Sequence, residues 1–198
     1  MAKSGGLPLG SPAPHFELPE PLTDKVWKLE DFESHSGLLV MFLCNHCPFV
    51  VHLKKDIARL ARDYKEKGVA VVAISSNSEV TYPQDGPKFM AEDAKTFDYP
   101  FPYLYDKSQD IARAFQAVCT PEFFLFKKSM REDGQLLAMD VGKPFDLFYH
   151  GRFDESRPGN NVPVTGSDLS LAVDCLLGGR PFPNPQRPSI GCSIKWHP

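Results

Sequence analysis

Five cysteines, Cys44, Cys47, Cys119, Cys175 and Cys192, are the residues of this chain most capable of chemistry, and two of them fall in one short run, Cys44-Asn45-His46-Cys47-Pro48. Two thiols separated by two residues suit dithiol–disulfide exchange: one thiolate attacks, and the second lies near enough to release the mixed disulfide. If a helix begins inside the run, its free N–H groups and its dipole favour a thiolate at Cys44. Cys44 is then the exposed attacking thiol, and Cys47, one turn in, is the resolving one. A protonated His46 between them favours the thiolate further and makes the couple more oxidising. Pro48 is tolerated in a first helical turn, where no N–H is needed.

Other uses of the pair are weaker. Structural zinc needs two further ligands, and there is no second C-x-x-C; Cys119, Cys192, His46 or His52 would have to come from the fold. Haem attachment needs His directly after the second Cys, where this chain has Pro48. An odd number of cysteines cannot all be paired, which fits a reducing compartment.

The elements that must hold the pair are legible around it. Leu38 to Leu43 is an unbroken apolar run, as in a strand covered on both faces, and it leads straight into Cys44. From Pro48, Val50, Leu53, Ile57, Leu60, Ala61 and Tyr64 recur at helical spacing, with Lys54, Lys55, Arg59, Arg62 and Lys65 assigned to the opposite face, and the helix ends near Gly68. Val69 to Ile74 is a second buried strand, which gives strand, helix, strand. Helices are expected at 87–97 and 109–115, strands at 103–105, 123–126 and 148–151, and a last helix over Leu169 to Leu177. Phe16 and Leu18 are expected to pair with Val26 to Leu29 in a small hairpin. Residues 127–147 are charged and weakly periodic, and are read as an insertion or long hairpin connection. The Pro-rich stretch 179–198 is read as a tail that either folds back over the site or stays mobile.

A chain of 198 residues with 42% hydrophobic content supports one sizeable core. A net charge of −3 supplies no basic excess for phosphate backbones, so nucleic acid is not an expected partner. The first twenty residues lack the apolar stretch of a secretion signal, and no run approaches the ~20 apolar residues of a membrane span. A soluble, cytoplasmic protein with no membrane partner is expected.

These features together resemble the thioredoxin-like superfamily, in its AhpC/TSA and TlpA-like branch. The lead-in Gly10-Ser11-Pro12-Ala13-Pro14-His15-Phe16-Glu17-Leu18 resembles that branch's N-terminal signature, and Thr120-Pro121 its cis-proline element. More closely, the chain is similar to a group of thioredoxin-family proteins sharing C-N-H-C-P, C-T-P, G-R-F-D-x-S-R-P and P-S-I-G-C-x-I-K-W runs, present here from Cys44, Cys119, Gly151 and Pro188. The resemblance implies an α/β thioredoxin-like fold over residues 10–178: a central mixed sheet flanked by helices, with an N-terminal hairpin and a C-terminal tail. It implies that Pro121 is cis and faces the two thiols, and that the backbone of Thr120 is available to pair with a substrate peptide. Asn45 and Pro48 are counted with Thr120 as substrate-facing.

The implied activity is thiol:disulfide exchange on a protein or small-molecule disulfide, coupled to a second thiol system as electron donor or acceptor. No organic cofactor or metal is implied. A non-catalytic binding module on the same fold is an alternative. So is a peroxiredoxin-like peroxidase, although its P-x-x-x-T-x-x-C pattern fits neither register, since Val40 and Cys44 precede Cys47, and Gly37 and Met41 precede Cys44. Leu38 to Leu43 has no carboxylate to take a proton from Cys47; Glu122 is the candidate by adjacency, unless it is merely a solvated strand-edge acid. Cys119 is either a third redox thiol or a core filler, Cys175 a core residue, and Cys192 a resolving thiol if the tail folds back. Arg152, Asp154 and Arg157 either anchor that tail, bind an anionic substrate or form a surface ion-pair cluster.

Overall fold

The apolar run before Cys44 forms the central strand of a mixed five-stranded sheet. In the computed structural model, which describes residues 1–129 and 143–198, this strand, β4 (Gly37–Phe42), is buried throughout. It follows β1 (Ala2–Lys3) and the hairpin of β2 (Glu17–Pro19) and β3 (Val26–Lys28), in which Leu18 lies opposite Trp27. Helix α1 (Pro48–Glu66) returns the chain to β5 (Val69–Ser75), parallel to β4. Gly68, at φ +89°, takes the left-handed turn that ends α1.

Next come α2 (Pro87–Thr96), β6 (Tyr103–Tyr105), α3 (Asp110–Ala114), β7 (Cys119–Thr120), β8 (Glu122–Lys128), β9 (Phe145–Gly151), α4 (Ser167–Leu177) and β10 (Ile190–Ser193). The main sheet runs β6-β5-β4-β8-β9, with β4, β5 and β6 parallel and β8 antiparallel to both neighbours. The expected insertion is narrower at its ends, because Lys127 and Lys128 belong to β8 and Phe145 to Leu147 belong to β9. Its middle lies outside the described residues.

The lack of alternation in β4 has a direct cause. Leu39, Met41 and Leu43 join one core with α1, α2 and α4, while Leu38, Val40 and Phe42 join a second core with the hairpin and α3. Each large side chain buried this way contributes about 1.5–3 kcal/mol, which fixes the height at which β4 delivers Cys44.

The tail folds back. β10 lies between β1 and β7, with Ala2 opposite Gly191 and Cys192 opposite Thr120. Residues 2–3 and 190–193 are therefore built into the structure beyond the 10–178 span, and Cys192 packs against the core that contains Cys44 and Cys47. Among the described residues, no helix is long and apolar enough to cross a membrane.

Candidate active site

Helix α1 starts where the apolar spacing placed it, directly after the Cys44–Cys47 run rather than within it. Pro48 is the first residue of α1 and Cys47 is its N-cap, with φ −59° and ψ 125°. Asn45 and His46 form the turn that joins β4 to the helix. Asn45 is a brace for this turn: its N–H donates to Asp85 Oδ1 (2.9 Å), its Nδ2 to the Gln84 carbonyl (2.9 Å), and its Oδ1 accepts from the Tyr103 hydroxyl (2.9 Å). With these groups satisfied internally, the substrate-facing role expected of Asn45 gives way to a positioning one. Pro48 is exposed.

Lys54, assigned by spacing to the solvent face, is buried. It reaches back to donate to the Asn45 carbonyl (3.1 Å) and to both oxygens of Asp93 (3.0 and 2.8 Å). Asp93 also accepts from Tyr99 Oη, so the ion pair ties the turn to α2.

Both motif thiols are free and buried, Cys44 at 1% exposure and Cys47 at 0%, against the expectation of an exposed Cys44. The Thr120–Pro121 peptide is cis. Thr120 touches both sulfurs: its Oγ1 lies 3.4 Å from Cys44 Sγ, and its carbonyl oxygen 3.4 Å from Cys47 Sγ. Two placements of a proton are open. Cys47 S–H can donate to the Thr120 carbonyl, or Cys44 S–H can donate to a Cys47 thiolate.

The surroundings favour the second placement. The hydrogen bond from Cys44, the Cys192 thiol and the backbone N–H groups of Val50 and Cys192 hold Cys47 well below the ordinary thiol range, outweighing burial. Cys44 goes the other way, pushed up by its hydrogen bond to Cys47, then by burial and by the Asp85 charge. At the start of α1 the Val50 and Val51 N–H groups donate to the Cys47 carbonyl (2.9 Å each), and the Cys47 side chain makes no cap hydrogen bond.

His46 does not lie against the Cys47 sulfur. Its Nδ1 is 2.5 Å from Asp85 Oδ2, and its ring stacks on Tyr82 at 5.1 Å. Donor atoms of Cys44, His46 and Asp85 fall within 4.8 Å of one another. That is one protein ligand short of a closed zinc site, and Asp85 is already occupied by His46, the Asn45 N–H and Asn77 Nδ2 (2.9 Å). The cluster reads as a buried acid hydrogen-bonded by Asn45 and Asn77, with His46 at ion-pair distance.

Asp85, completely buried, is the site acid that the sequence reading missed. It sits in the single-turn helix Pro83–Asp85, a run without periodicity in which only the flanking Pro and Gly give a signal. Glu122, proposed as proton acceptor for Cys47 or as a solvated edge residue, is neither in contact with Cys47 nor solvated. It is completely buried opposite Phe42 in the sheet and accepts from the N–H groups of Val118 (2.8 Å) and Cys119 (3.2 Å), with His150 Nε2 at 2.7 Å. Cys119 lies against it, Sγ to Oε2 3.8 Å, and burial and the Glu122 charge push this thiol up. Cys175 is buried on α4.

The Thr120 edge expected to receive a substrate strand is occupied by Cys192 of β10. The Gly151 run anchors that tail through its backbone: Arg152 N–H donates to the Arg187 carbonyl (2.8 Å), and the Gly151 carbonyl accepts from Ser189 Oγ (2.9 Å). Arg152 itself pairs with Asp168 (2.6 Å), and Asp154 caps the Thr165 and Gly166 N–H groups (both 2.8 Å). Beside Pro121 opens a cavity of about 230 Å³, whose wall includes Phe49, Phe123, Lys3, Arg157 and Arg187.

A mixed sheet between helices, with a cis-proline strand turned against a dithiol at a helix start, defines a thioredoxin-like protein. The sequence model of the AhpC/TSA family matches residues 9–131, and the chain belongs to that family. Among solved structures, it is 45% identical to an uncharacterized conserved protein from Geobacillus kaustophilus, covering 100% of this chain and 96% of that one with a TM-score of 0.89. It is 40% identical to a hypothetical protein from Sinorhizobium meliloti, covering 100% and 99%, also with a TM-score of 0.89. A putative thiol:disulfide interchange protein, DsbE, from Chlorobium tepidum shares the fold at 22% identity and a TM-score of 0.55, over 87% of this chain and 100% of that one. No curated protein matches the chain.

Proposed function

We propose that this protein is a thiol:disulfide oxidoreductase in which Cys44 and Cys47 are the two-electron couple. The observation that carries this reading is the pair itself: two free, buried thiols held against Thr120 of the cis-proline turn, Cys44 Sγ at its hydroxyl and Cys47 Sγ at its carbonyl. With Cys47 lowered and Cys44 raised by their surroundings, Cys47 is the thiolate of the pair and Cys44 its proton-bearing partner, the reverse of the order expected from spacing. Closing the disulfide removes the proton from Cys44 and moves two electrons to the substrate, whose sulfurs leave as thiols. The cation-bearing cavity beside Pro121 suits a small anionic disulfide better than a bulky neutral one. A thiol-based electron donor or acceptor completes the cycle.

Turnover of glutathione disulfide by the purified chain tests the reading. Cys47→Ser should abolish multiple turnover; retention of activity in that variant would refute the reading. Because a thiolate at a helix start also reacts with peroxide, hydrogen peroxide in place of the disulfide supplies the rival substrate. A Cys47-dependent peroxidase rate exceeding the disulfide rate would reassign the chemistry.

A further inference from the structure

The dithiol is closed off by the chain's own C-terminal strand, and that strand carries a cysteine. β10 runs antiparallel to β7, with Cys192 opposite Thr120 and Ser193 opposite Cys119, so it fills the backbone edge that an incoming extended peptide would use. Its placement is fixed on both sides. Ser189 Oγ donates to the Gly151 carbonyl (2.9 Å), Ile194 N–H to the Val118 carbonyl (3.0 Å), and Lys195 N–H to Asn77 Oδ1 (2.9 Å). Asn77 in turn holds Asp85, so the strap and the Cys44 turn share one hydrogen-bond chain.

Gly191 lies so close to β7 that a Cβ there would stand 2.0 Å from the Thr120 carbonyl oxygen. The strand is pressed onto the site at that point, and the next residue is Cys192. The Cys192 side chain packs against the core that holds Cys44 and Cys47, and its thiol and N–H are among the groups that lower Cys47. Of the five cysteines it alone is partly exposed, whereas Cys44 and Cys47 are sealed. Cys192 is thus the accessible thiol that packs beside the sealed pair.

Building on the dithiol reading above, we infer that Cys192 is a third redox thiol, the entry point through which external disulfides exchange with Cys47 and Cys44. Cys192, whose thiol is raised to about 11 by burial and by Cys47, gives up its proton and attacks a substrate disulfide, forming a mixed disulfide and releasing one substrate sulfur, which takes a proton to leave as the thiol. Cys47 then attacks Cys192 Sγ, forming the Cys47–Cys192 bond and expelling the second substrate thiolate. Cys44, losing its proton, attacks Cys47 Sγ, and Cys192 leaves and is reprotonated. The sum is two substrate thiols formed and one Cys44–Cys47 disulfide made. In the reverse direction an external thiolate attacks Cys192, and Cys47, as the stabilised thiolate, is the good leaving group.

The test uses the full reduced chain, glutathione disulfide as oxidant, acid quenching, alkylation and peptide mass spectrometry. Cys44→Ser should accumulate a Cys47–Cys192 crosslink. Cys192→Ser should form the Cys44–Cys47 disulfide to the wild-type extent but at least ~tenfold more slowly. In the wild type, a Cys47–Cys192 crosslink should precede Cys44–Cys47, which keeps the inference testable if a variant misfolds. A glutathione adduct on Cys47 beside a free Cys192 in Cys44→Ser, a wild-type rate in Cys192→Ser, or no early crosslink in the wild type would each overturn it. A wild type that forms Cys47–Cys192 and never Cys44–Cys47 would uphold this inference and refute the dithiol reading instead.

Discussion

Gly191→Ala should unseal the site, and the size of the effect follows from the contact it creates. The added methyl would lie 2.0 Å from the Thr120 carbonyl oxygen and 2.7 Å from its carbonyl carbon, where ordinary contact begins near 3.4 Å. Both atoms are backbone, so β10 and β7 must separate. Separation sacrifices their ladder and strains the adjoining Ile194–Val118 bond. Two or three hydrogen bonds at a net of about 1 kcal/mol each bias the strap open by about 2–3 kcal/mol, or roughly 30- to 150-fold. The assay is peptide-resolved iodoacetamide labelling of the reduced chain, with hydrogen exchange over residues 189–195 to report on the strap. Cys47 labelling should rise by that factor as those amides lose protection. Lost protection with Cys47 labelling unchanged would refute the claim that β10 gates the dithiol.

Other perturbations have equally direct readouts. Lys54→Met leaves the half-buried Asp93 with only the Tyr99 hydroxyl and removes the tie to Asn45, which should cost about 3 kcal/mol and lower the Tm by about 6–12 °C in calorimetry. Asp85→Asn removes the negative charge that raises Cys44, so the pH profile of Cys44–Cys47 disulfide formation should move to lower pH in stopped-flow quench experiments. Cys47, lowered in the folded state from an unfolded value of ~8.5, contributes stability that is fully present above that value and is lost as pH falls through the folded one. The destabilisation caused by Cys47→Ser in urea titrations should therefore shrink on acidification from pH ~8.5.

The framework was legible because the local signals agreed with the packing. The unbroken apolar stretch Leu38 to Leu43 could only be a strand with two covered faces, and the spacing from Val50 to Tyr64 could only be one buried helical stripe. The Cys44–Cys47 pair and Thr120–Pro121 are local motifs that travel with those elements. What escaped was set by long-range contacts. Lys54 shows the helical phase of a solvent residue, yet its side chain finds Asp93, 39 positions away. Asp85 gains its role only because a one-turn helix folds against Asn45, and Glu122 because β8 is central rather than at an edge. The helix starts at Pro48, where its apolar spacing begins, so Cys47 rather than Cys44 lies at its N-terminus. The Pro-rich tail carries no periodicity, so its strand is visible only through its pairing with residues 119–120 and 2–3.

The most direct test of the central claim is mass-resolved thiol trapping of the purified wild type equilibrated across glutathione redox buffers. A reversible two-electron transition ending in a Cys44–Cys47 disulfide is expected, with a midpoint in the range of roughly −270 to −120 mV known for such couples, and with Cys119 and Cys175 reduced throughout. Cys44 and Cys47 remaining reduced over that whole range would contradict it.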